Sequence, residues 1–175
     1  IEKKYDSAIN VLKKSISKSH QQQNKYMEAK ALNYKGIFEC HAGWYESAYK
    51  SWREAIRITE KLGNYSTLIC IYFNLSSLFL LQNDYHKAYE SINKALHILT
   101  DDKNPVQFSQ NYNVLFHNYI VCCQTLNLND EIRQIIKQFP QFKNFYQTLL
   151  KIKDITAFLN EESMNYYGKD GFSFL

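Results

Sequence analysis

Apolar residues recur at helical spacing through most of the chain. Tyr45, Ala48, Trp52, Ala55 and Ile56 follow one another at steps of 3, 4, 3 and 1, which places them on one stripe of a helix. The small residues let a neighbouring helix approach closely, and Trp52 is large enough to fill the space between them. This pattern predicts an amphipathic helix that packs against a second helix.

The segments before this helix and after it show the same period. Residues Tyr26 to His41 and Tyr65 to Leu81 each present a broad apolar face, so we expect a helix in each. Between the helices lie residues that favour turns, left-handed backbone or helix caps. These predicted turns are at Gly43, Gly63-Asn64, Asn83-Asp84 and Asn104-Pro105.

The helical pattern repeats itself along the chain. A shift of 40 residues places like residues on like: Tyr5 on Tyr45 and Tyr85, Ala8 on Ala48 and Ala88, Leu12 on Trp52 and Ile92, Ser15 on Ala55 and Ala95, and Ile16 on Ile56 and Leu96. Several matches in one order at one shift indicate an internal repeat, whose unit is a helix, a short turn and a second helix.

This unit resembles the tetratricopeptide repeat, which has a Leu-Gly pair, an aromatic residue, a turn and then alternating small and bulky residues. In the second copy the matching residues are Leu32, Lys35-Gly36, Gly43, Tyr45, Ala48, Trp52 and Ala55; in the third they are Tyr72, Leu75-Ser76, Phe79, Asp84-Tyr85, Ala88, Ile92 and Ala95. The fourth copy is degenerate, with Phe116, Tyr119-Ile120, Cys123, Ile132, Ile136 and Phe139. The resemblance implies an all-α fold, a right-handed superhelical solenoid of antiparallel helix pairs.

The repeats divide the chain into segments. Residues 1–139 are predicted to be repeats: the second helix of a truncated repeat at 1–24, full repeats at 25–64 and 65–104, and the degenerate copy at 105–139. We expect a capping helix or the start of a further repeat at 140–160, and a C-terminal tail at 161–175. Because the first copy lacks its leading helix, we expect more repeats before Ile1, in a larger chain or complex.

Composition and charge narrow the classes of function. The net charge is +4, and Lys and Arg are concentrated in residues 1–64, which suits either an acidic partner or a solvated helix surface. The four cysteines form no Cys-x-x-Cys pair, which favours packed, reduced thiols in a cytoplasmic protein. No apolar run reaches the ~18 residues of a membrane span.

The sequence offers no pattern for catalysis or for a bound cofactor. No phosphate-binding loop, nucleophile elbow or dinucleotide fingerprint is present, so we predict that the protein is not an enzyme and holds no cofactor. His117 precedes Cys122 and Cys123 by steps that do not share a helix face, which argues against a metal site. Facing repeat positions lack the matched polar residues that RNA-reading repeats use, which argues against nucleic acid as a partner.

The resemblance also implies a binding surface. In tetratricopeptide proteins the leading helix of each pair lines a concave face that binds a partner protein or peptide. The candidate residues on those helices are Lys30, Asn33, Tyr34, Ile37, His41, Phe73, Asn74, Ser77 and Asn118. Asn74 and Asn118 hold the place where an Asn grips the ligand backbone in peptide-binding relatives, although Asn is also a common surface residue in this chain.

Two functions remain open from the sequence. The first is a cytoplasmic scaffold or adaptor that docks partner proteins on the concave face. The alternative is a peptide-sensing regulatory domain of a larger signalling or transcription regulator. The carboxylate clamp of chaperone-tail receptors is argued against, because Ile37 and Asn33 stand where that subclass needs Asn and Lys.

Overall fold

The structure is a computed structural model that describes residues 2–101, 112–140, 143 and 147. Its helices are α1 (Glu2–Gln21), α2 (Lys25–His41), α3 (Tyr45–Leu62), α4 (Tyr65–Leu81), α5 (Tyr85–Thr100), α6 (Tyr112–Thr125) and α7 (Asn129–Gln138). No β-strand occurs among the described residues. The chain forms two compact units, Ile1–Phe108 and Ser109–Leu175.

The turns between consecutive helices of the first unit are copies of one backbone design. A residue with positive φ follows each of the helices α1 to α4, at intervals of 20: Gln23, Gly43, Gly63 and Asn83. In each case the next residue donates its N–H to the carbonyl five positions earlier, as from Trp44 to Glu39 at 2.8 Å. This is the Schellman arrangement, which satisfies carbonyls at a helix end. The structural period is therefore a single helix and turn of 20 residues, half the period of the sequence repeat.

Three of these turns also cap the following helix. The side chains of Asn24, Asn64 and Asp84 accept hydrogen bonds from the backbone N–H groups of Met27, Thr67 and Lys87. Asn, Asp, Ser and Thr are preferred at this position because they satisfy one of the free N–H groups of the first turn. Trp44 holds the same position before α3 and makes no such bond.

The helices of the first unit pack as successive pairs. The helix α2 packs on α1 and α3, and α4 packs on α3 and α5. Ala48 and Ala55 of α3, and Ala88 and Ala95 of α5, are fully buried. These are the small residues that the sequence predicted at the helix contacts. The all-α fold, a helical solenoid of helix pairs, is confirmed.

The contact between α2 and α3 is unusually close at one point. A Cβ atom added to Gly36 would lie 2.6 Å from Nε1 of Trp52 and 2.7 Å from Cε2 of the same ring. Trp52 is 1% exposed, and its indole N–H donates to the carbonyl oxygen of Asn33 at 3.2 Å and to the side-chain Oδ1 of Asn33 at 3.0 Å. The backbone of α2 thus forms the wall of the Trp52 site.

A buried ionic cluster joins the same two helices. The carboxylate of Glu39, whose side chain is 3% exposed, accepts hydrogen bonds from Lys35 at 2.7 Å and from Ser47 and Ser51, each at 2.6 Å. Burial raises the pKa of a carboxyl group, but these three donors outweigh it and hold the pKa of Glu39 below its ordinary value. The cluster fixes α2 against α3 with every Glu39 oxygen bonded.

The second unit contains α6 and α7, which pack together. Its buried residues include Phe116, Ile120, Cys122, Cys123 and Ile132. Burial raises the pKa of both Cys122 and Cys123 to about 12, so both are protonated thiols. The predicted cap at Asn104-Pro105, most of the helix predicted at 140–160 and the tail at 161–175 lie outside the described residues.

Candidate functional site

The leading helices α2 and α4 lie side by side and share one face, which we call the α2–α4 face. They meet at Asn33 and Asn74, where Nδ2 of Asn74 donates to Oδ1 of Asn33 at 3.0 Å. The thiol of Cys70 on α4 lies near the phenol of Tyr34 on α2. Half-buried or exposed residues of this face are Lys30, Tyr34, Ile37, His41, Cys70, Phe73, Asn74 and Ser77.

The orientation of the two asparagines follows from the chemistry of Trp52. An indole N–H is only a donor, so the amide oxygen of Asn33 must face Trp52. Asn74 approaches the same oxygen and must therefore present its NH₂ group. This leaves Oδ1 of Asn74 facing away, and no described residue donates a hydrogen bond to it. Asn74 is thus held in one orientation, with an acceptor available to the backbone N–H of a ligand.

Asn33 itself is placed differently from a groove residue. It is 9% exposed, and its Oδ1 atom is used by both Trp52 and Asn74. Its position follows from helical spacing, since Asn33 and Gly36 are three residues apart and share a side of α2. Asn33 therefore connects α3 to the α2–α4 face.

Aromatic and cationic groups lie together near the start of α2. The Lys30 ammonium lies 5.5 Å from the ring centroid of Tyr26, within the range of a cation–π interaction. Burial, and secondarily the neighbouring Cys70 thiol and Tyr26 phenol, raise the pKa of Tyr34. Tyr34 is consequently a neutral hydrogen-bond donor at physiological pH.

The remainder of the face is apolar and uncharged on α4. This helix contains no Asp, Glu, Lys, Arg or His between Tyr65 and Leu81. Ile37 on α2 and Phe73 on α4 are half-buried, and Leu81 is exposed. The Ser77 hydroxyl donates to the Phe73 carbonyl at 3.3 Å. The surface offers apolar contact with a few polar anchors, the composition typical of ligand-binding sites.

His41 is the last residue of α2 and lies at that end of this face. Its imidazole stacks on the ring of Tyr5 from α1, with centroids 6.1 Å apart and planes at 13°. Partial desolvation lowers the pKa of His41, so its neutral form is favoured. His41 therefore adds a hydrogen-bonding ring to the face rather than a positive charge.

Asn118 belongs to the second unit and is 6% exposed. It makes a side-chain hydrogen bond with His117, which partly opposes the effect of burial on that imidazole. Burial dominates and lowers the pKa of His117 to about 4. In this unit the two side chains form a buried, neutral polar pair.

Among the described residues, no group of three or more His, Cys, Asp or Glu side chains is arranged to hold a metal ion. Within the same residues, no helix is both long and apolar enough to cross a membrane.

Comparison with protein families gives a match to the central part of the chain. A family model described as tetratricopeptide repeat matches residues 27–101, which include α3, α4, α5 and nearly all of α2. Comparisons with curated proteins and with solved structures give no match.

Proposed function

Because a tetratricopeptide repeat family model matches residues 27–101, we propose that the chain is a non-catalytic scaffold or adaptor that binds a partner protein through the α2–α4 face. Tetratricopeptide repeats generally mediate protein–protein interaction. The partner segment that suits this face is an extended or helical peptide, bound along the concave side of the helix pairs in the cytoplasm.

The fixed orientation of Asn74 carries this proposal. The chain of hydrogen bonds from Trp52 through Asn33 to Asn74 begins at a fully buried residue and ends at the surface. A side chain held in its binding orientation loses little conformational entropy when a ligand arrives. The Oδ1 atom of Asn74 would accept a backbone N–H of the peptide, while Phe73 and Ile37 would contact its apolar side chains.

A pull-down from native lysate with mass-spectrometric identification tests the proposal. Wild type is compared with Asn74→Ala and with a Tyr34→Ala/Asn74→Ala double variant. The matched control is Asn10→Ala, which removes the same amide from the exposed surface of α1. All variants should first show equal cooperative thermal melting.

We expect at least one partner to be recovered by wild type and by Asn10→Ala and depleted roughly tenfold in both variants of the α2–α4 face. The hydrogen bond of Asn74 is one contact on a largely apolar surface. The double variant, which also removes Tyr34, should therefore show the larger loss of bound partner. Recovery of the same proteins at equal intensity by all four forms would move the interface away from the α2–α4 face.

A further inference from the structure

A groove lies at the edge of the first unit where two inter-helix turns come together. One lobe, of about 560 Å³, is lined by residues around the α2–α3 turn, among them Trp44, Tyr45 and Lys50, and by Gln82 from the α4–α5 turn. The other lobe, of about 230 Å³, shares Tyr45 and Gln82 and extends to Tyr49 and Phe79. We call this the turn-edge groove. None of the candidate residues on the α2–α4 face lines it.

Four aromatic residues line the turn-edge groove, among polar and charged ones. Trp44 is 45% exposed and Tyr45 is 38% exposed. Deeper in the groove, the rings of Tyr49 and Phe79 pack edge to face with centroids 5.9 Å apart and planes at 62°. Exposed Trp and Tyr side chains are enriched at protein interfaces, because each supplies a large contact area with few rotatable bonds.

Charges of both signs lie around these rings: Glu46 lines both lobes, Lys50 lines one and Lys87 lines the other. Arg53 lies 5.9 Å from the Tyr49 centroid, and Lys87 lies 5.7 Å from that of Phe79. Lys87 is paired with Asp84 at 2.6 Å, and Lys50 pairs with Glu46 at 3.1 Å in a highly exposed contact. Arg53 makes no ion pair with any described residue. A carboxylate from outside the chain would therefore meet an unpaired guanidinium beside these aromatic rings.

The position of Trp44 is a local departure from the design of the other turns. At the equivalent place the chain has Asn24, Asn64 and Asp84, each of which caps the next helix with its side chain. Trp44 leaves α3 without that cap and exposes a large apolar ring instead. Folded sequences break a local rule mostly where a site requires it. This observation is independent of the shape and charge of the groove.

From these features we propose that the turn-edge groove is a second docking site, which binds a partner-protein segment carrying a large apolar side chain beside a carboxylate. The apolar side chain would lie between Trp44 and Tyr45 and reach the Tyr49–Phe79 pair. The carboxylate would pair with Arg53 beside the Tyr49 ring. Because this surface is separate from the α2–α4 face, the two docking sites can fail independently.

The probe for the test is a phage-displayed library of random linear peptides, selected on the full 175-residue chain and depleted on a Trp44→Asn variant. Asn restores the cap that the other turns have, so Trp44→Asn should melt at a higher temperature than wild type. A loss of binding in this variant cannot then be ascribed to unfolding. Selected peptides are labelled, and their dissociation constants are measured by fluorescence anisotropy.

We expect the selected peptides to share an aromatic or large aliphatic residue next to Asp or Glu. Their affinity should fall roughly tenfold or more in Trp44→Asn. Arg53→Gln should weaken acidic peptides while leaving their Asn-substituted forms unchanged, and Asn74→Ala should have no effect. Chain fluorescence gives a second readout, since Trp52 is buried and Trp44 is the exposed tryptophan of the two.

Three results would overturn the proposal. Depletion on Trp44→Asn could leave no binders, or the selected peptides could show no preference for an acidic residue. Sedimentation could instead show a dimer of wild-type chain that Trp44→Asn dissociates, in which case the groove is occupied by a second copy and not by a separate partner.

Discussion

At the scale of single residues, the Gly36–Trp52 contact determines how closely α2 and α3 pack. The indole occupies the place where any other residue at position 36 would have its Cβ. The next repeat has different residues at the equivalent positions. Ser76 and Ile92, 40 positions after Gly36 and Trp52, are both fully buried. A smaller side chain on the second helix leaves room for a Cβ on the first, so the two positions should be coupled.

Gly36→Ala should lower the free energy of unfolding by about 1–3 kcal/mol. Alanine favours a helix by about 1 kcal/mol over glycine, but the clash opposes this gain. The Trp52 ring cannot move aside easily, because it is enclosed and hydrogen-bonded to Asn33. Urea denaturation followed by circular dichroism measures the difference.

The matched control is Ser76→Ala, which changes the equivalent position without adding an atom near the facing helix. Because the buried Ser76 hydroxyl donates to the Phe73 carbonyl at 2.7 Å, its loss should cost about 0.5–1 kcal/mol. In a Trp52→Ile background the cost of Gly36→Ala should shrink, giving a non-additive double-mutant cycle. Strict additivity would show that the two residues are not in contact.

At the scale of helices and turns, the sequence predicted the extent of α2 and α4 and the turns beside them, because the signals are local. Residues Tyr65 to Leu81 were predicted as a helix, and the structure has the same bounds. Left-handed residues occur at Gly43, Gly63 and Asn83, where glycine and asparagine had predicted turns. Gln23 was not predicted, because glutamine has no preference for positive φ and its conformation is imposed by the helices on both sides.

Gln23→Gly should raise the free energy of unfolding by about 0.5–1 kcal/mol. A non-glycine residue with φ of 55° suffers contact between its Cβ and the backbone, which glycine avoids. The greater freedom of glycine in the unfolded chain offsets part of this gain. Thermal and urea denaturation should agree on the sign.

The converse substitution provides the comparison for this turn. Gly63→Ala places a Cβ at φ 63° and should destabilise by about 1 kcal/mol, although nothing lies within 4 Å of that Cβ to clash with it. If Gln23→Gly and Gly63→Ala changed the free energy of unfolding by the same amount in the same direction, the left-handed conformation of these turns would not limit stability.

The contacts between elements were much harder to predict than the elements. The Glu39 cluster joins residues that are 8 to 16 positions apart, on helices whose relative rotation the sequence does not specify. The same applies to Asn33, which was predicted to line the groove and which the structure places against Trp52. The available signal was the spacing of three between Asn33 and Gly36, which assigns both to the side of α2 that faces α3.

At the scale of the whole molecule, buried carboxylates should make the stability of the fold depend on pH in the acidic range. Glu39 and Glu28 are both buried, and the pKa of each carboxyl group is lowered. Burial alone would raise each pKa, but hydrogen bonds from lysine and other donors lower it by more. A lowered folded pKa contributes stability above the unfolded pKa, and this contribution is lost as pH falls through the folded value. The melting temperature should therefore decline below about pH 4.5.

Substitution separates the contribution of one carboxylate from that of general acid unfolding. Glu39→Gln should destabilise the protein at neutral pH, where Lys35 loses its partner, and should flatten part of the acid decline. Glu46→Gln is the control, because Glu46 is highly exposed and its pair with Lys50 should contribute little. An unchanged acid profile in Glu39→Gln would assign the decline to other groups.

Because the turns in the first unit are evenly spaced, a chain pulled from its ends should lengthen in equal steps. Each turn closes one helix of nearly the same length, with a left-handed residue every 20 positions from Gln23 to Asn83. If the molecule is stretched from its ends and its helices peel away singly, each release should lengthen the chain by about 70 Å of contour. Helices released in bonded pairs would double that step, so an optical-tweezers record would count how many helices form one mechanical unit.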